Sequence, residues 1–220
     1  MLTKTFISFI ALFIISATVF AQKTLSEGTI VYDIAISTGN KEPQMADAFD
    51  GATTTVYLKG GFSKTEMTSA LGNEKTIHDS KLGNAVILKE YSGQKLMITL
   101  TKENWEMKNK KYNNVVFDVS NDTKTIIGYT CKKATATLTD GSTIIVYFTN
   151  DITLVNKGYD EVFKNLLGLP MQYEFVNGKI KYTYTVSSIN FNPIAASIFA
   201  FPKSGYRVIS YDESKTNSNK

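Results

Sequence analysis

The chain has 220 residues, 43% of them hydrophobic and 20% charged, with a formal net charge of +4. That balance excludes a disordered chain, and lysines scattered among Asp and Glu exclude the wide basic stripe with interleaved aromatics that nucleic-acid binding requires. A single cysteine excludes an intramolecular disulfide, and with a single histidine it leaves too few soft ligands for a zinc site.

In chain order, residues 1–21 read as a secretory signal peptide. Lys4 supplies the positive start, Phe6–Ser16 the apolar run, and Val19-Phe20-Ala21 the cleavage signal, with Gln22 as the mature start. No cysteine follows the apolar run, so no lipid anchor is expected. No second apolar stretch reaches the about 20 residues of a spanning helix. The expected product is a periplasmic or secreted protein that is not integral to a membrane after cleavage after Ala21. A mature chain of this size buries roughly 70% of its unfolded surface, enough for a real core.

The mature part alternates with period two. Gly28–Ser37 places Ile30, Tyr32, Ile34 and Ile36 on one face. Thr53–Lys59 ends at Gly60-Gly61 and forms a hairpin with Phe62–Ser69. Lys75–Asp79, Ala85–Tyr91 and Lys95–Thr101 follow. Val115–Val119, Thr130–Thr139 and Thr143–Thr149 continue the pattern, and Asp140-Gly141 predicts a tight type I′ turn. Asn177-Gly178 separates Met171–Val176 from Lys179–Ile189, and Tyr206–Tyr211 is a last short strand. Ten or eleven antiparallel strands are too many for one flat sheet, so the sheet should curl.

Three segments read as short helices. They are Glu42–Phe49, Tyr159–Leu167 with Val162, Phe163, Leu166 and Leu167 at helical spacing, and Pro193–Phe199 behind an Asn192 N-cap. Residues 22–211 are expected to form one β-rich domain, with 212–220 a flexible polar tail.

No acid, base and nucleophile set stands out, so no catalytic residue is expected, nor a metal or cofactor. His78-Asp79-Ser80 holds the letters of a triad, but neighbours in sequence have the wrong geometry, and His78 reads as an ordinary strand-end residue. Cys131, flanked by Lys132 and Lys133, is either an activated thiol or a small buried residue. The second reading is favoured, since no partner cysteine could resolve it. The 13 Phe, 12 Tyr and one Trp remain. A curled sheet has a concave face, and aromatics lining it would suit an apolar ligand. Trp105 lies in the polar stretch 103–107, as a loop anchor or a cavity-mouth residue.

Several blocks resemble a known group. Residues 127–134 (IGYTCKKA), 146–152 (VYFTNDI) and 168–174 (GLPMQYE), with 201–206 (FPKSGY), are similar to successive blocks of secreted Bacteroidetes proteins that include the GLPGLI set. Met171-Gln172 stands where that name implies Gly-Leu-Ile, which fits a sister group. The resemblance implies a LolA/LolB-like fold, a curled antiparallel sheet or half-barrel closed by two or three short helices. Carriers of that fold hold lipoprotein acyl chains.

The reading that follows is a mainly β, exported, non-enzymatic binding protein that shelters a lipid or acyl chain. Phe163, Leu166, Leu167, Phe199 and Phe201 would line the cavity, with Trp105 at its mouth. The alternative is an envelope structural or interaction module, bound to another envelope protein, with a core filled by its own side chains.

Overall fold

The computed structural model describes residues 22–39 and 49–218. The expected signal peptide lies outside them, as does the expected helix at Glu42–Phe49 but for its last residue. Two antiparallel meanders build one sheet. The first runs through β2 (Glu27–Ser37), β3 (Thr53–Lys59), β4 (Phe62–Ser69), β5 (Gly72–Asp79), β6 (Ala85–Tyr91) and β7 (Gln94–Leu100). The second runs through β8 (Asp118–Ile126), β9 (Tyr129–Thr137), β10 (Thr143–Thr149), β12 (Leu169–Asn177) and β13 (Ile180–Asn190). β13 lies antiparallel to β2, with Tyr184 opposite Ile34, and this pairing fuses the two halves. β14 (Arg207–Ser210) adds parallel to the edge of β7. A separate parallel pair joins β1 (Lys23–Leu25) to β11 (Ile152–Leu154).

The main sheet thus has twelve strands, more than the ten or eleven expected, in the order β14-β7-β6-β5-β4-β3-β2-β13-β12-β10-β9-β8. Its edges, β14 and β8, do not pair with each other, so the curled sheet stays open. Register shifts in β2–β13, β8–β9 and β10–β12 mark bulges, which bend a strand and increase its twist. At Gly28 the chain passes so close to β13 that a Cβ would lie 2.2 Å from the Asn190 carbonyl oxygen, so only glycine fits.

Alternation decides what each face buries. On the inner face Ile30, Tyr32, Ile144, Val146, Met171 and Tyr173 form one core with Val115, Val162, Phe163 and Leu166, which descend from the segments between strands. Burying each such side chain contributes roughly 1.5–3 kcal/mol. The Tyr32 hydroxyl donates to the Pro170 carbonyl at 2.9 Å, which satisfies both buried groups. Cys131 is fully buried in this core, and burial pushes its thiol up to about 11, as expected for a packing residue rather than a nucleophile. On the outer face of the first meander a strap, residues 191–206, packs Ile194 and Phe199 against Ile77 and Tyr57. Lys59 fixes the strap by bonding both Glu27 and the Ile194 carbonyl.

Several elements differ from the sequence expectation. The strand expected at Val115–Val119 begins at Asp118 and runs to Ile126, leaving Val115 to plug the core. Asp140-Gly141 does not make a type I′ turn. Only Gly141 has positive φ, at 81°, and its N–H bonds the Leu138 carbonyl, giving a type I turn with a glycine bulge. The Asp140 carboxylate accepts from the Ser142 N–H at 3.0 Å and holds that shape.

Tyr159–Leu167 is not a helix. A 3₁₀ turn covers Lys157–Tyr159, and then Asp160 accepts the Val162 N–H at 3.0 Å, a local bond that competes with helical pairing. Pro193–Phe199 keeps only a 3₁₀ turn at Ala196–Phe199, without an Asn192 cap, because the Ile194 backbone is tied to Glu27 and Lys59. Conversely, the stretch around Trp105 is a helix, α1 (Lys102–Lys108), and Tyr211–Ser218 forms α2 where a frayed tail was expected.

Candidate functional site: two cavities either side of Trp105

The inner face of β3–β7 adds polar side chains to buried apolar ones such as Val56, Leu58, Ile87 and Ile98. Thr54, Thr65, Met67, Glu74, Thr76 and His78 point inward there, in successive cross-strand pairs. α1 covers this face. Thr101 caps it, with its hydroxyl accepting the Asn104 N–H while the Asn104 side chain accepts the Thr101 N–H, a reciprocal capping box. His78 is level with Ala85 on β6, and Ala85 with Leu100 on β7, so a helix that starts at the end of β7 folds straight back over His78.

Trp105, the one buried residue of α1, therefore lands on His78. The rings stack with centroids 4.3 Å apart and planes at 17°. Asn109 at the helix end donates to the Trp105 carbonyl at 3.0 Å. The indole N–H reaches Glu161 Oε1 at 3.4 Å, and Lys164 pairs with the other oxygen of Glu161 at 3.3 Å. These contacts clamp α1 to the 155–164 segment and divide the space beneath into two cavities with Trp105, Asn109 and Glu161 as shared wall.

The inner cavity, about 330 Å³, lies between the sheet and this lid. Tyr112, Tyr159, Tyr173, Phe175 and Tyr184 give it ring walls, and Glu74, Lys108 and Asp160 give it charged edges. Burial pushes the Asp160 carboxyl up to about 6, although it accepts the Val162 N–H; nearby Glu161 adds to the shift and Lys108 opposes it. Partial desolvation lowers the ammonium of the solvent-exposed Lys108, and burial raises the Tyr184 hydroxyl to about 12.

The outer cleft is larger, about 850 Å³, and is bordered by Gly60, Gly61, Gly83 and Gly158, with Lys81, Lys102, Lys157 and Lys164 around it. His78 (4% exposed) and Asn156 (7% exposed) are buried at it. Burial holds the imidazole below its ordinary value, against the pull of Glu161 and Asp79, so it is neutral at pH 7. A third cleft, about 470 Å³ and apolar, is formed by Val115, Val116, Phe117, Phe148, Leu166 and Leu167 near the edge strand β8.

The six residues read as one lining do not share a single cavity, although Leu166 and Leu167 both border the third cleft. Trp105 borders both cavities. Phe163 and Leu166 belong to the packed core, and Leu167 is 72% exposed beside the third cleft. Phe199 packs on Ile77, whose neighbours Thr76 and His78 face inward, so it lies on the opposite face of the sheet. Phe201 is 47% exposed. The sequence reads His78 as an ordinary strand-end residue and assigns no site role to Asn156, Asp160 or Glu161. The signal that could have found them is compositional: the sole histidine and sole tryptophan lie at two short polar sites, and Thr101 with Asn104 marks a helix start.

Residues 65–198 match the family described as N-glycanase peptide, N-terminal domain. The chain belongs to this family. The matched range includes the blocks at 127–134, 146–152 and 168–174, while the 201–206 element falls beyond it. Among solved structures, PNGF-II is similar over 87% of this chain at 14% identity with a TM-score of 0.50, and the match takes in 33% of PNGF-II. The chain thus spans about a third of that relative's length. An uncharacterized conserved protein from Thermus thermophilus matches 83% of this chain and 90% of its own at 8% identity, with a TM-score of 0.51. The Mycobacterium tuberculosis lipoprotein LppX matches 76% of this chain and 88% of its own at 10% identity, with a TM-score of 0.41. No curated protein matches the chain in sequence. Among the described residues no helix is long and apolar enough to cross a membrane.

Proposed function

We propose that the chain is an exported, non-enzymatic binding module, one β domain over residues 22–211, whose ligand seat is the inner cavity and whose ligand is a carbohydrate. The observation that carries this reading is the make-up of that cavity. The rings of Tyr112 and Tyr184 stand beside carboxylates from Glu74 and Asp160 and hydroxyls from Thr54, Thr65 and Thr76. A sugar offers a C–H face to stack on rings and hydroxyls to bond carboxylates at its edge. The volume falls at the lower end of the usual range for small-molecule sites, roughly 300–1,000 Å³. The family's description, which names an N-glycanase, supports the same class. An accessory domain that holds a glycan would serve such an enzyme without carrying the chemistry.

The acyl-chain reading has one observation of its own, the apolar cleft beside Leu166 and Leu167, with Val116 also exposed. An oily ligand or an apolar partner segment would lodge there and not under Trp105. Thermal shift and calorimetry on the chain from Gln22 onward separate the two. Diacetylchitobiose and mannose oligosaccharides should bind saturably and lose affinity in Glu74→Ala. Binding of lauric acid alone, weakened by Leu167→Asp, would replace the carbohydrate with the acyl chain.

A further inference from the structure

We propose that the outer cleft is a second binding site, for a small molecule carrying an oxyanion, with His78 and Asn156 as its floor and Lys81 and Lys157 as its charged rim. It is independent of the ligand assigned to the inner cavity, since it lies on the other side of Trp105.

Polar atoms left over at the floor point to a ligand. Neither His78 nitrogen has a hydrogen-bond partner, and the Asn156 amide nitrogen has none, although all three are buried. The Gly158 backbone lies near the imidazole without reaching bonding geometry. Buried polar groups are nearly always paired, so three unpaired atoms at one cleft require an account. Local structure does not supply it. Asn156 stands at the N-cap position of the Lys157–Tyr159 turn, yet its side chain makes no cap bond. His78 cannot swing away to find a partner while its ring stacks on Trp105.

The charges define the guest. Four lysines and two glutamates border the cleft. Lys164 pairs with Glu161 at 3.3 Å and Lys102 with Glu106 at 4.0 Å. Among the described residues no carboxylate comes within 4.0 Å of Lys81 or Lys157, so two ammonium groups stay uncompensated. The floor offers an amide N–H and one imidazole N–H, since a neutral imidazole donates from one nitrogen and accepts at the other. Donors below and cations at the rim recognise carboxylate, sulfate or phosphate oxygens. The remaining imidazole nitrogen accepts from a hydroxyl, so an anion on a hydroxylated carrier, such as a uronic acid or a sugar phosphate, satisfies every floor atom. Glycines at 60, 61, 83 and 158 leave room for the carrier.

The sole histidine and sole tryptophan are built-in reporters of this cleft. The test is an NMR titration of the His78 ring protons in the chain from Gln22 onward, at constant ionic strength set with chloride, using inorganic phosphate, sulfate and glucuronate as separate probes. A saturable His78 shift with a raised imidazole pKa is expected, with a matching change in Trp105 fluorescence. A stronger response to glucuronate identifies a carboxylate on a sugar, and a stronger response to phosphate or sulfate identifies the free or esterified oxyanion. Lys81→Ala/Lys157→Ala, on two exposed side chains, should weaken binding at least about tenfold while keeping the ring-current shift of the His78–Trp105 stack. A His78 signal unmoved by all three probes, or an equal response in the double variant, would mean that the cleft holds only water and would overturn the site.

Discussion

The two halves of the inner sheet face share one strand pattern and differ in what lies on top of it. Over β8–β13 the inward positions are Ile144, Val146, Met171 and Tyr173, and the chain returns Val162, Phe163 and Leu166 to fill the space. Over β3–β7 the inward positions mix apolar Val56, Leu58, Ile87 and Ile98 with polar Thr54, Thr65, Glu74, Thr76 and His78, and the covering helix buries only Trp105. Period-two alternation guarantees that a face exists but says nothing about whether the protein fills it. The filled half holds the fold together, and the unfilled half is where side chains remain free to meet something else.

Substitutions in the two halves should therefore separate sharply. The largest effect is expected from Phe163→Ala. Its ring packs 4.8 Å from Tyr173 and 6.2 Å from Phe117, and truncation leaves a cavity that the sheet cannot close. A loss of about 3–5 kcal/mol is expected in urea denaturation. Thr76→Ala, inward-facing in the open half, should stay within about 0.5 kcal/mol of wild type. Similar losses from both would mean that the open half is also core.

Tyr32→Phe probes the junction of the halves. It deletes a single hydroxyl and leaves the buried Pro170 carbonyl without its donor, which should cost about 1–3 kcal/mol by the same measurement. Thr101→Ala tests the lid of the open half. Loss of the cap should cost about 1 kcal/mol. It should also change Trp105 fluorescence, because α1 carries the indole that stacks on His78. A stability loss with unchanged fluorescence would show that the 155–164 segment, through Glu161, holds the stack without the cap.

Strands are legible in both halves. Alternation in Glu27–Ser37 and Ile180–Asn190 is a local signal, and each strand carries its own evidence of which residues turn inward. The site in the open half depends on contacts that no local window contains. His78 and Trp105 are separated by two strands and meet because β5, β6 and β7 end level with one another. Around Val162 to Leu167 the helical spacing is genuine, and three of its four apolar residues are buried, but one Asp160 side-chain bond redirects the backbone into turns. α1 is illegible in the sequence for the opposite reason. It has a single buried residue and hence no apolar stripe, and its stability comes from its caps.

The smallest expected effect concerns pH and pits the two cavities against each other. Asp160 rises from 3.8 to about 6 on folding, so between those values the folded chain binds more protons than the unfolded one. Its contribution to stability is complete below about pH 4 and is lost as pH rises through about 6. His78 is held below 6.5, so its contribution runs the other way, falling as pH drops from 6.5 through its folded value. Near pH 6 the two slopes have opposite signs, so wild type alone does not separate them. Asp160→Asn separates them, since the amide oxygen can still accept the Val162 N–H but does not titrate. The variant should melt above wild type at pH 7, where the native carboxylate is charged and desolvated, and the gap should close by pH 4. A gap that stays constant from pH 7 to 4 would place the Asp160 carboxyl in solvent and remove the charged edge from the inner cavity.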